Sequence, residues 1–139
     1  MINQGRILAV DYGEKRIGLA LSDPMRMFAK PYMVLVNSGL EDTINTIKGL
    51  ITQNSISLVI VGMPYAIDGT FTPKTTETKA FAVELGKVLS VPVTDYDERY
   101  STCDADDELK KMGYTWQESR KVKDAMAACM FLKEYLESI

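Results

Sequence analysis

Asp11 closes the apolar run Ile7-Leu8-Ala9-Val10 and is followed at once by Tyr12-Gly13, with Gly18 further on. A carboxylate at the end of a buried strand is held rigidly by main-chain hydrogen bonds and exposed by a turn, the geometry that metal-dependent phosphoryl chemistry requires. Glu98 follows the apolar-alternating stretch 91–97, within Asp95-Tyr96-Asp97-Glu98-Arg99. Asp124 stands at the mouth of Ala125-Met126-Ala127-Ala128-Cys129-Met130-Phe131-Leu132, apolar on every face. A carboxylate there must be paired, protonated or bound to a cation.

Each acid also has a plainer reading. Asp11 can open an Asx-type turn. Glu98 can belong to an exposed acidic loop paired with Arg99, and Asp124 can be a favourable first-turn charge. Lys121 and Lys123 precede Asp124, which argues that its helix begins earlier.

The chain contains no histidine. Ser-His and Cys-His nucleophile pairs and His-ligated metals are therefore excluded. Three converging carboxylates suit Mg²⁺ or Mn²⁺, which prefer oxygen ligands, as one ion or as two about 3.5–4 Å apart. The expectation is that Asp11, Glu98 and Asp124 are both the catalytic residues and the metal ligands.

The elements that must position these groups are read from hydropathy period and turn residues. Residues 6–11 and 16–22 form two strands at hairpin distance, and 30–36 a third. Leu40 to Gln53 carries Leu40, Ile44, Ile47, Leu50 and Ile51 at helical spacing. Residues 57–61 form a fourth strand ending at Gly62-Met63-Pro64. A turn-rich loop, 65–74, leads to a helix from Thr75 to Ser90, and 91–97 is a fifth strand. Helices over 102–112 and 117–137, separated by Gly113, finish the chain. This order predicts an α/β fold: a mixed five-stranded sheet, three antiparallel strands and then two parallel ones, flanked by helices. If the first and fifth strands run parallel, Asp11 and Glu98 emerge at one edge, where open α/β sheets bind ligands.

At 139 residues, 46% hydrophobic and 25% charged, the expectation is one domain over 1–139. No stretch reaches the ~18 apolar residues of a membrane span and no secretory leader pattern opens the chain, so a cytoplasmic protein without a membrane partner is expected. Cys103 and Cys129 lack the spacing of a disulfide framework or zinc site, and Cys129 reads as core. A net charge of −3 argues mildly against a generic nucleic-acid coat but permits a nuclease, whose acidic ligands cancel a basic groove in the sum.

Four segments together resemble the YqgF/RuvX family of Holliday junction resolvase-like proteins and pre-16S rRNA nucleases. They are RILAVDYGEKRIGLALSDP, VGMPYAIDGT, DERYST and DAMAA, in order and across nearly the whole chain. The resemblance implies an RNase H-like fold and an acidic site on Asp11, Glu98 and Asp124. Thr102 would cap the next helix or touch the site. Tyr100, Ser101 and Phe71-Thr72 depart from the family pattern, which bears on substrate detail.

Lys15, Arg16 and Arg99 are expected to contact phosphate. Lys121 and Lys123 read equally as a solvated helix start. Tyr65, Phe71 and Trp116 could stack on unpaired bases, although Trp116 beside a helix start reads first as packing. The middle loop, 62–74, suits either a phosphate approach or a purely structural turn.

The expected function is a divalent-metal-dependent endonuclease acting on the 5′ end of pre-16S rRNA. The alternatives are a Holliday junction resolvase-like DNase, a non-catalytic RNase H-like nucleic-acid-binding module, and, from the D-x-G opening alone, one lobe of an actin-like ATPase. The expected partner is structured RNA or branched DNA, bound by a monomer or a homodimer.

Overall fold

The computed structural model describes residues 4–98, 109–122 and 125–139. Asp124, Arg99, Thr102, Cys103 and Lys123 lie outside them, as do most of the helix expected over 102–112 and the side chain of Lys121.

Strands β1 (Arg6–Asp11), β2 (Arg16–Ser22) and β3 (Ala29–Val36) form an antiparallel meander. Helix α1 (Leu40–Asn54) returns the chain to β4 (Ile56–Met63), parallel to β1. Helix α2 (Pro73–Val88) leads to β5 (Val93–Asp97), parallel to β4. Helices α3 (Trp116–Val122) and α4 (Met126–Ser138) follow. The sheet order is β3-β2-β1-β4-β5, so β1 is central, and the expected mixed sheet of three antiparallel and two parallel strands is found.

Side chains alternate across each strand, and this period of two sorts the core into two layers. Leu8, Val10, Val59, Val61 and Met63 face Ile47, Leu50 and Ile51 of α1 and Phe81, Ala82 and Leu85 of α2. Ile7, Ala9, Ala20 and Ile60 face Met126, Cys129, Phe131 and Leu132 of α4. Cys129 is fully buried, as expected of a core thiol. No helix among the described residues is long and apolar enough to cross a membrane.

Several expectations are corrected. β4 runs on through Gly62 and Met63, because its ladder with β5 continues to Met63↔Asp97. Helix α2 starts at Pro73, two residues early: Thr72 caps it by accepting from the Thr75 amide at 3.1 Å, and Thr75 Oγ1 accepts from the Thr72 amide. The helix expected over 117–137 is two helices, α3 and α4. The run 125–132, apolar on every face, is buried except at Ala127, which is exposed. Trp116 is 71% exposed and is therefore not a packing residue.

Candidate active site

Asp11 ends β1 opposite Gly18 of β2. Alternation along β1 from Ile7 through Ala9 puts Asp11 on the face that α4 covers. The turn after it is fixed from two directions. Asn37, just beyond β3, donates through Nδ2 to the Gly13 carbonyl and through its amide to the Lys15 carbonyl, both at 2.9 Å. Gly13 must lack a side chain, since a Cβ there would stand 2.4 Å from the Arg16 carbonyl oxygen. Tyr12 stacks on Phe81 of α2, tying the turn to the helix layer.

Glu98 lies one residue beyond β5, where its amide donates to the Met63 carbonyl at 3.4 Å. Since β1, β4 and β5 all run parallel, Asp11 and Glu98 emerge at the same carboxyl edge. The Glu98 side chain folds back over Gly62: its Oε2 lies 2.7 Å and its Cδ 3.0 Å from where a Gly62 Cβ would stand. Burial, first, and then the nearby Asp11 charge push its carboxyl up to about 7, while Lys74 partly offsets them and Asp97 adds to the rise. A carboxylate that is costly to ionise beside a second carboxylate is a site that a cation would relieve.

Lys74 was not among the basic residues singled out from the sequence. It sits in the first turn of α2, on a cleft of about 420 Å³ lined by Tyr12, Gly13, Glu14, Pro73, Lys74 and Glu77. The signal was available in Thr72-Pro73, an N-cap followed by proline at the first helical position, which moves Lys74 from loop to helix.

The remaining expected residues divide clearly. Lys15 and Arg16 are exposed at the β1–β2 turn, next along the chain from the cleft-lining Glu14. Asp95 is not available to the site, because it forms an ion pair with Lys79 of α2. In the middle loop, Gly69 has a positive φ of 87° and donates to the Ala66 carbonyl at 2.8 Å, which is a turn role. Phe71 is 54% exposed and leans on Tyr65, with ring centroids 5.5 Å apart. Among the described residues no group of three metal-binding side chains is assembled; the third expected acid, Asp124, lies outside them.

A parallel-edge carboxylate pair on a mixed five-stranded sheet is the frame of an RNase H-like protein, and comparison with solved structures agrees. The chain superimposes on the fowlpox virus Holliday junction resolvase with a TM-score of 0.60 at 16% identity, covering 96% of this chain and 99% of that one. It superimposes on T. thermophilus RuvC in complex with a Holliday junction substrate with a TM-score of 0.59 at 13% identity, covering 96% and 94%. At these identities the likeness establishes the fold.

Residues 5–138 match the model of the family described as "RuvX: Holliday junction resolvase", and the chain belongs to that family. As a member it is classed with the nucleases, hydrolases of phosphodiester bonds. A relative from Halothermothrix orenii, named "Putative pre-16S rRNA nuclease", is 37% identical over 131 residues, 94% of each chain. One of the same name from Pelotomaculum thermopropionicum is 36% identical over 134 residues, 96% of this chain and 87% of its own.

Proposed function

We propose that this chain is a divalent-metal-dependent endonuclease that processes the 5′ end of pre-16S rRNA. The observation that carries the reading is the Glu98 carboxyl, brought to the edge where Asp11 ends and raised to about 7 by burial and that neighbour. The donors fit a hard cation: they are carboxylate oxygens, and no histidine competes for a softer one. Asp11 and Glu98, with Asp124, would hold Mg²⁺ or Mn²⁺. When bound, such an ion activates water and stabilises the departing oxygen of a phosphodiester.

The chain's own residues do the rest. The Asn37 contacts and the Tyr12–Phe81 stack hold Asp11 in a fixed direction. Lys74 tempers the negative charge around Glu98. Lys15 and Arg16, with Arg99 and Thr102, are assigned to phosphate contact. Pre-rRNA as substrate rests on the names of the relatives, and the same reading puts the protein in the cytoplasm with that RNA.

Cleavage of branched DNA is the second reading, favoured by the family description and by the fold shared with junction resolvases. The test offers purified protein and its Asp11→Asn variant a 5′-extended 16S precursor and a four-way DNA junction with Mn²⁺ or Mg²⁺. Cutting of the RNA by the native protein alone is expected. Cutting of the junction alone would transfer the function to DNA, and equal background from both proteins would end the enzyme reading.

A further inference from the structure

Gly62 stands where the sheet meets the candidate site. Leu58, Ile60 and Gly62 alternate onto the face of β4 that α4 covers, where Leu58 and Ile60 pack in the α4-side core. The β1–β4 ladder runs through Ala9↔Ile60 and Val10↔Val61, so the next residues along the two strands are Asp11 and Gly62. Asp11 thus has a glycine on either side, Gly18 in register on β2 and Gly62 on β4. The space above Gly62 is filled from two directions. Glu98 Oε2 lies 2.7 Å, and Phe131 Cε2 2.6 Å, from the position of an added Cβ.

The two neighbours differ in how they can yield. The Glu98 backbone is anchored by its amide at the Met63 carbonyl, but its carboxylate is the far end of a side chain that can swing aside. Phe131 is fully buried and stacks on Tyr96, the residue that pairs with Gly62 across β4 and β5, with ring centroids 5.8 Å apart. Gly62 is not required by backbone conformation, because its φ is not positive and it lies within a regular ladder. A glycine inside a strand weakens it, so its presence calls for a close approach to explain it.

We propose that Gly62 is a positioning residue for the candidate site: its missing side chain is the space into which the Glu98 carboxylate folds to come level with Asp11. The proposal rests on the reading of Glu98 as a metal ligand. A methyl group at residue 62 would push the carboxylate off this seat and leave Asp11 where it is.

Gly62→Ala alone would disturb both Glu98 and Phe131, so the test uses Gly62→Ala with Phe131→Leu, which removes the ring atom, beside Phe131→Leu alone and Glu98→Gln. Cleavage rate and Mn²⁺ titration of each folded protein are measured. Relative to Phe131→Leu, the double variant should lose about 10–100-fold in kcat and need about 10–100-fold more Mn²⁺, with KM for the nucleic acid little changed. If the double variant matches Phe131→Leu in both, Gly62 serves only the packing of α4 and the proposal is overturned. If Glu98→Gln keeps native cleavage and Mn²⁺ binding, the reading of Glu98 fails and takes the proposal with it.

Discussion

Tyr12 lies nearly flat against Phe81, with ring centroids 4.3 Å apart and planes inclined by 29°. The stack joins the residue after Asp11 to the middle of α2 and so ties the end of β1 to that helix layer. Such a pair contributes about 0.5–1.5 kcal/mol beyond its buried area. Tyr12→Ala should lower the melting temperature and reduce cleavage, while Tyr12→Phe, which keeps the stack, should do neither. Equal losses from the two substitutions in thermal unfolding would assign the effect to the hydroxyl instead.

The protonation of Glu98 gives a second prediction, with its sign fixed by linkage. Its folded carboxyl, at about 7, holds a proton more tightly than the ordinary value of 4.5. The folded chain therefore binds more protons than the unfolded one between those values. For this group, metal-free stability is fully present below pH 4.5 and declines as pH rises to 7, by at most about 3 kcal/mol. A cation needs the ionised form, so its stabilising effect should grow over the same window. Unfolding scans with Mn²⁺ and with chelator at pH 5.5, 6.5 and 7.5 read the gap between them; a gap independent of pH contradicts the assignment.

Removing a ligand should separate stability from activity. Asp11→Asn, Glu98→Gln and Asp124→Asn are each expected to abolish cleavage while leaving the metal-free fold intact or slightly more stable, because like charges no longer meet. Their effects should not add, since losing one ligand removes the ion. Unchanged cleavage in any one variant takes that residue out of the site.

Lys74 supplies a fourth. Lys74→Gln removes the positive charge that holds Glu98 down, so the acid limb of the pH–rate profile should move to higher pH. Lys74→Arg should leave that limb where it is. An unmoved limb in Lys74→Gln would show that the lysine serves only the cleft wall.

Much of this frame was legible because it is written in local patterns. The apolar runs of β1 and β4 and the helical spacing in α1 mark themselves, and hairpin distances order the first three strands. Parallel strands then bring residues 11 and 98 to one edge without any knowledge of side-chain contact. What escaped was set by tertiary partners. Gly62 read as the end of a strand, and only the ladder with β5 and the approach of Glu98 place it inside one. Asp95 and Asp97 are indistinguishable by spacing, yet Lys79, sixteen residues away on α2, takes the first as its partner. Trp116 reads as a packing residue because it stands beside a helix start, yet it is 71% exposed.

Helix α4 is synthesised after every strand it covers, and until it docks the face bearing Ile7, Ala9, Ala20 and Ile60 has no lid of its own. A growing chain still attached to the ribosome therefore exposes an oily, half-built surface where the finished protein has a closed one. The face beside Asp11 is therefore covered only after all five strands of the sheet have been made.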